Sequence, residues 1–259
     1  MSQASNKNKR KRRVSSNERR QQLIEAALPL FAQVGFRGVT TRQLATTAGV
    51  SEALLYQHFP SKEELYSAVQ DHCCQPREEL KTVLSGLEPS TATLVELLYF
   101  QTKMVIDKAV MGGSGGNQIF PRLMMHSVLE DGEFARLYLQ RAVSRMAATM
   151  QRSVIAAKQA GDIPAEGVPD DLADEMRFWF CHHLLVTVLM YRLTPDPVVA
   201  YPVTEDQLQQ QIVLFMLKGI GLTEAAIAKY CNFSSLRDQT EHWFNLIRDP
   251  LVESEGSDP

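Results

Sequence analysis

The histidines and cysteines are the residues whose types could hold a metal ion or act as nucleophiles. Cys181, His182 and His183, together with His126, would suggest a metal sensor. However, neighbouring residues on a helix point about 100° apart, so adjacent histidines do not easily share one ion. The four cysteines fit neither a zinc-binding spacing nor a disulfide framework, and the serines, histidines and aspartates form no nucleophile motif. The sequence therefore predicts reduced thiols, no metal or other cofactor, and no enzyme.

Two short polar runs favour binding instead of catalysis. The run from Thr40 to Gln43 has the form of a capping box, in which the Thr40 hydroxyl and the Gln43 amide satisfy free N–H groups at a helix start. The short helix that follows is expected to stop at Gly49, because glycine readily adopts the left-handed geometry of a helix end. Ser51 then suits the N-cap of a further helix over residues 52–59.

This further helix has one apolar and one mixed face. Leu55 and Phe59 are four residues apart and are expected to point inward. The outward face carries Ala53, Tyr56 and Gln57, with Leu54 and His58 at its margins. Two short helices joined by a tight glycine turn and packed on an amphipathic first helix form a helix-turn-helix, whose second helix enters the DNA major groove. A helical hairpin with no role in DNA binding is the alternative.

Lys62 bears on that choice. It occupies the first helical position of a second capping box, Ser61 to Glu64, where a cation opposes the helix dipole. A DNA phosphate would explain a cation there. Together with Tyr56, Lys62 is expected to clamp the DNA backbone beside the groove, a contact that positions the protein without reading sequence.

The elements that must position these residues are all expected to be helices. Of the 259 residues, 44% are hydrophobic, which allows a sizeable core. Apolar residues recur at helical spacing between glycine and proline breaks, which predicts about nine helices and no convincing strand. The first helix carries an apolar face from Leu23 to Val34, and Pro29 inside it predicts a local bend.

Charge is distributed unevenly along the chain. Residues 1–20 hold eight lysines and arginines against one glutamate, whereas the whole chain has a net charge of −3. A basic, disordered arm over residues 1–16 therefore indicates an anionic partner for this end, although a solvated tail that only aids solubility is the alternative. The sequence shows no signal peptide and no apolar run of membrane-spanning length, which predicts a soluble cytoplasmic protein with no membrane partner.

About 50 residues closely resemble the TetR family of transcriptional regulators. The resemblance rests on the run Leu23-Ile24-Glu25-Ala26-Ala27, Leu30-Phe31, Gly35-Phe36, Thr40-Thr41, Leu44-Ala45, Ala48-Gly49-Val50-Ser51, Leu55-Tyr56, His58-Phe59 and Ser61-Lys62-Glu63. A weaker match follows at Ala160-Gly161-Asp162-Ile163. The resemblance implies an all-helical homodimer that binds a palindromic operator, as a repressor or an activator, and responds to a small molecule in its C-terminal domain.

The resemblance also implies which residues touch double-stranded DNA. Thr41 and Arg42 are expected to contact phosphate or base, whereas Ala53, Leu54 and Gln57 face base edges and Tyr56, His58 and Lys62 hold the backbone. The predicted DNA-binding residues are Thr41, Arg42, Ser51, Ala53, Leu54, Tyr56, Gln57, His58 and Lys62. Leu54 departs from the small or hydroxylated residue frequent there, so it touches a thymine methyl or belongs to the core. Pro76 departs as well, since it would kink the helix that joins the domains.

Four segments are predicted: a basic arm over residues 1–16, the DNA-binding domain over 17–75, a ligand-binding and dimerisation domain over 76–221, and an extension over 222–259. Soft and aromatic side chains indicate an apolar or aromatic effector. The predicted ligand-binding residues are Phe100, Met104, Phe120, Met124, Trp179 and His182. The alternatives are that these side chains are ordinary core, that the protein binds DNA without a ligand, or that an enzyme has adopted this helical fold.

The helices over residues 171–192 and 205–219 are long and apolar enough to form a four-helix dimer interface, with burial inside one chain as the alternative. The candidate contacts are Leu172, Met176, Leu184, Leu208, Ile212 and Phe215. In the extension, Tyr230, Phe233, Trp243, Phe244 and Ile247 indicate that its earlier part packs against the rest.

Overall fold

The computed structural model describes residues 15–74, 78–107, 119–164, 171–194 and 196–245. Within these ranges every regular element is a helix, and the predicted all-α class is confirmed. The basic arm, Pro76 and the glycine-rich break at 112–116 lie outside the described residues. The chain divides into two units between His72 and Cys73, close to the boundary predicted at residue 75. Over the described ranges, none of the helices is both long and apolar enough to cross a membrane.

The N-terminal unit consists of four helices: α1 (Ser16–Gly38), α2 (Thr41–Thr47), α3 (Glu52–His58) and α4 (Lys62–Cys74). α1 begins where the Ser15 hydroxyl accepts a hydrogen bond from the Glu18 N–H and the Glu18 carboxylate accepts one from the Ser15 N–H. Its backbone is interrupted at Gly35, with φ 73° and ψ 173°, and not at Pro29. The bend predicted at Pro29 is thus replaced by a break six residues later, at a residue without a Cβ.

The core of this unit forms where α1 meets the three shorter helices. Leu23, Ala27 and Phe31 on α1 are buried, as is Leu65 on α4. The Phe31 ring lies 4.9 Å from the ring of Tyr66 on α4 in an edge-on arrangement. This apolar face gives α2 and α3 a rigid surface on which to pack.

The C-terminal unit contains nine α-helices and one π-helix in its described residues. They are α5 (Glu78–Ser85), α6 (Thr91–Ile106), α7 (Ile119–Leu129), α8 (Glu133–Tyr138), the π-helix (Leu139–Val143), α9 (Ser144–Gln159), α10 (Asp171–Met190), α11 (Glu205–Ile220), α12 (Glu224–Tyr230) and α13 (Phe233–Asn245). Short helices such as α8 and α12 account for the excess over the nine predicted for the whole chain. α8, the π-helix and α9 follow one another with helical backbone at each junction.

α6 is the centre of this unit. Leu94, Val95, Leu97 and Leu98 are four of its neighbouring side chains, and all four are fully buried. A helix buried on several faces needs partners all round it, and α6 packs against α9, α10, α11, α12 and α13.

The extension after residue 221 belongs to this same core. The Phe100 ring of α6 lies 5.3 Å from the Trp243 ring and 4.8 Å from the Phe244 ring of α13. Lys103, one turn further along α6, places its Nζ 4.9 Å from the centre of the Phe244 ring. The prediction that the earlier part of the extension packs is confirmed for Tyr230, Phe233, Trp243 and Phe244, whereas Ile247 lies outside the described residues.

Two of the predicted dimer contacts are wrong. Leu208 and Ile212 on α11 are buried within the chain's own core, because the face that carries them packs against α6. Met176 and Phe215 are exposed, and Leu184 is half-buried. The side chain of Leu172 lies outside the described residues.

Candidate nucleic-acid interface

Hydrogen bonds at the helix ends fix the turn between α2 and α3. The Thr40 hydroxyl accepts from the Gln43 N–H at 3.3 Å, and the Gln43 side-chain oxygen accepts from the Thr40 N–H at 2.9 Å, which confirms the predicted capping box. Gly49 has a φ of 65°, where a side chain would be strained. Ser51 caps α3, since its hydroxyl oxygen accepts from the Leu54 N–H at 3.2 Å. Because the oxygen accepts in this bond, the Ser51 hydroxyl can still donate its hydrogen, and the DNA contact of Ser51 stays a prediction.

The two faces of α3 are as the sequence predicts. Leu55 and the following Phe59 are buried. The outward side chains Ala53, Tyr56 and Gln57 are exposed, and Leu54 and His58 are half-buried. Leu54 is half-buried, so both predictions for it, a contact with a thymine methyl and a place in the core, stay open. α3 therefore presents a short methyl, phenol and amide surface of the kind that reads base edges.

The start of α3 is tied to the start of α2. The Thr41 hydroxyl donates to Glu52 Oε2 at 3.1 Å, while Arg42 is exposed. Glu52 was not among the predicted site residues, although it stands beside them in the first turn of α3. Its carboxylate lies where the positive ends of two helix dipoles favour negative charge.

The end of α3 is tied to α1 by a residue that the sequence analysis missed. Arg20 donates from one guanidinium nitrogen to the His58 carbonyl oxygen at 2.6 Å. Its guanidinium carbon also lies 4.0 Å from the centre of the Phe59 ring. In the sequence Arg20 is one of several basic residues, and no spacing distinguishes it.

Lys62 has an internal role that was not predicted. Its ammonium donates to the carbonyl oxygens of Phe36 and Val39, each at 3.0 Å, and lies 4.2 Å from the centre of the Phe36 ring. These acceptors belong to the end of α1 and the link to α2. The cation at the start of α4 is therefore explained without DNA, and a phosphate contact from its remaining N–H stays a prediction.

The predicted ligand-binding residues fall into separate groups in the C-terminal unit. Phe100 is buried, with the rings of Trp243 and Phe244 against its own, and its role in ligand binding stays a prediction. Phe120 packs against Phe134 and Tyr138, with ring centres 5.9 and 4.7 Å apart.

The rest of this set is half-buried. Met104 and Trp179 pack against the main core, and Met124 lies on α7. Trp179 lies with its ring 5.7 Å from that of His182. Burial, and secondly the charge of His183, lowers the pKa of His182, so at neutral pH its imidazole is uncharged and can accept or donate a hydrogen bond.

A cavity of about 10 Å³ lies between α6, α9, α10 and α11. It is lined by Leu94, Met150, Gln151, Val154, Asp174, Arg177, Phe178 and Ile220. None of the predicted ligand-binding residues lines it, and its volume admits about one water molecule. Across the described part of the chain, no three histidine, cysteine or acidic side chains are grouped as metal ligands would be.

The matches to a family model and to curated proteins lie mainly in the N-terminal unit. Residues 23–69 match the family described as "Bacterial regulatory proteins, tetR family". The transcriptional activator FasR of Mycolicibacterium smegmatis is 47% identical over 62 residues, which is 24% of this chain and 28% of FasR. The chain matches only 28–43% of the length of the first curated relatives.

Over most of the chain, the fold is similar to that of solved proteins. The structure of AmtR from Mycobacterium smegmatis has a TM-score of 0.54 at 21% identity, over 87% of this chain and 94% of AmtR. FadR from Bacillus subtilis, solved with stearoyl-CoA, has a TM-score of 0.52 at 15% identity, over 77% of this chain and 98% of FadR. At these identities the similarity shows a shared fold.

Replacing Lys62 by alanine tests its internal role. Loss of the ammonium leaves two carbonyl oxygens without a charged donor, which should destabilise the junction of α1 and α2 by about 1–3 kcal/mol. Hydrogen–deuterium exchange of the full chain should become faster in α2, and the exposed neighbour Glu63→Ala should leave it unchanged. Unchanged exchange, combined with a salt dependence of DNA binding reduced by about one unit, would instead support the phosphate role.

Proposed function

We propose that the chain is a DNA-binding transcriptional regulator of the TetR family of bacterial regulatory proteins, which its N-terminal residues match. In this proposal it acts in the cytoplasm as a homodimeric repressor of a palindromic operator and is released by a small apolar ligand. The observation that carries the proposal is how the side chains of α3 are distributed and how its two ends are held. The helix buries Leu55 and Phe59, exposes Tyr56 and Gln57, and is bonded to neighbouring helices at both ends.

The exposed side chains of this surface suit distinct roles. The Gln57 amide can pair with adenine in the major groove, and the methyl groups of Ala53 and Leu54 suit thymine. The Tyr56 hydroxyl and the exposed Arg42 suit phosphates on either side, with Thr41, Ser51 and His58 as further polar contacts. In this proposal the base contacts from α3 determine which sequence is bound, and the phosphate contacts contribute much of the affinity.

Dimerisation is proposed on the outer face of α10 and α11, which pack side by side. Phe215 on α11 is 68% exposed and Phe180 on α10 is 59% exposed, and Met176 lies one turn before Phe180. Exposed aromatic side chains on neighbouring helices indicate an interaction surface. A twofold dimer would place two copies of α3 roughly 34 Å apart or slightly more, which matches successive major grooves and a palindromic site.

The ligand response is proposed for the C-terminal unit, with Met104, Phe120, Met124, Trp179 and His182 as candidate contacts. Half-buried methionine and aromatic side chains offer an adaptable apolar surface, and the neutral imidazole offers one polar group. FadR, whose fold is similar, was solved with an acyl-CoA. A ligand that releases DNA must bind the non-operator state more tightly, and a coupling of 1–3 kcal/mol corresponds to roughly 5- to 150-fold weaker operator binding.

Gln57→Ala and Arg42→Ala form a matched pair that tests the DNA-reading roles. Gln57→Ala should relax the base preference at one position, at a cost of about 1–3 kcal/mol, and leave the salt dependence unchanged. Arg42→Ala should weaken binding to every sequence alike and reduce the slope of log K against log salt by about one. Selection from random duplexes, followed by titration at several salt concentrations, measures both. The roles are wrong if the two variants alter the same base preference.

Phe215→Glu tests the dimer surface. A carboxylate in the centre of an apolar interface has no partner and must be desolvated, so the variant should be monomeric at micromolar concentration and should bind the operator weakly. The control is Ile155→Glu, which places the same charge at a 51% exposed apolar residue of α9. Sedimentation velocity compares the two, and a dimeric Phe215→Glu protein contradicts the surface.

Tryptophan fluorescence tests the ligand response. The chain has two tryptophans, so a Trp243→Phe protein reports on Trp179 alone. Fatty acyl-CoA and small aromatic compounds should change its emission and weaken operator binding over the same concentrations. A compound that changes the emission but not operator affinity, or a panel that changes neither, favours a regulator that works without a ligand.

A further inference from the structure

The helix that faces the bases is held at its two ends by two different helices. Thr41 of α2 donates to Glu52 at its start, and Arg20 of α1 donates to the His58 carbonyl at its end. We propose that Arg20 is a positioning residue for operator reading, which sets the orientation of the α3 end that carries Gln57. The inference rests on the proposed function, since it concerns how the same surface discriminates between sequences.

Arg20 makes two contacts that depend on the shape of its side chain. One nitrogen reaches the His58 oxygen at 2.6 Å, a distance typical of a hydrogen bond from a charged donor. The guanidinium carbon lies 4.0 Å from the centre of the buried Phe59 ring. A planar guanidinium can stack on a ring and at the same time donate a hydrogen bond from its edge. A lysine ammonium is a compact point charge and lacks this planar shape.

The end of α3 needs such a contact. The last carbonyl groups of a helix lack partners within the helix, and a cation there is favoured by the helix dipole. α3 has seven residues, of which only Leu55 is buried, and Phe59 follows as its C-cap. Without Arg20, the last turn would rest mainly on the Phe59 ring, and the orientation of the adjacent exposed Gln57 would be less well defined.

This geometry separates Arg20 from an ordinary phosphate contact. Arg20 is exposed, so its charge could also attract the DNA backbone. A phosphate contact, however, depends on charge and changes the affinity for all DNA sequences alike. The orientation of α3 depends on the shape of the guanidinium and changes the ratio of the affinities for the operator and for unrelated DNA. Arg20→Lys keeps the charge and removes the shape, and Arg20→Gln removes both.

The experiment compares wild type, Arg20→Lys, Arg20→Gln and the neighbouring charge control Arg19→Gln. The wild-type full chain first selects its preferred duplex from a random pool. Dissociation constants for that duplex and for an unrelated one of equal length are then measured at several salt concentrations, below the melting temperature of each variant. Both Arg20 variants should lower the operator-to-unrelated ratio about tenfold, Arg20→Lys should keep the salt slope, and Arg19→Gln should keep the ratio.

Two results would overturn the inference. In the first, Arg20→Lys behaves as wild type while Arg20→Gln weakens both duplexes equally with a smaller salt slope, which identifies a phosphate contact. In the second, the variants lower only the melting temperature and keep the ratio, which identifies a purely structural contact. If the wild type selects no sequence, the proposed function itself fails, and that outcome is separate from either of these.

Discussion

A helix of two turns does not hold its shape in water by itself, and the N-terminal unit of this protein is built around one. Isolated helices shorter than about 12 residues are marginal, because nucleation is costly and few hydrogen bonds follow it. α3 is stable because Leu55 and Phe59 are buried and because its ends are bonded to α1 and α2. The other elements of the N-terminal unit can be understood as supports for this helix.

Some of these supports join residues close in the sequence, and others join residues far apart. This difference explains which parts of the site could be predicted from the sequence. The ends of α2 and α3 are set by Thr40, Gln43 and Ser51, whose partners are three residues away. Local rules therefore located both helices and their faces. The partners of Arg20 and Lys62 lie 38 and 23–26 residues away, and a single sequence contains no pattern that pairs such residues.

The same distinction applies in the C-terminal unit. Periodicity correctly indicated helices and an apolar interior, but not which apolar residues meet. Phe100 is predicted as a pocket residue because its type suits a ligand, and its sequence position does not show that aromatic rings from α13 lie against it. Leu208 and Phe215, seven residues apart on one helix, were treated alike, yet one is buried and the other is exposed. Only the packing around α11 distinguishes them.

The contact between α6 and α13 also sets the order in which the protein can be completed during synthesis. The four helices of the N-terminal unit are finished at residue 74, so this unit can fold while the ribosome is still translating, as N-terminal domains generally do. The second core differs, because Phe100 meets Trp243 and Phe244 only after more than 140 further residues have been made. During that interval the nascent chain carries a completed N-terminal unit, while the Phe100 face of α6 still lacks its aromatic partners and exposes apolar surface.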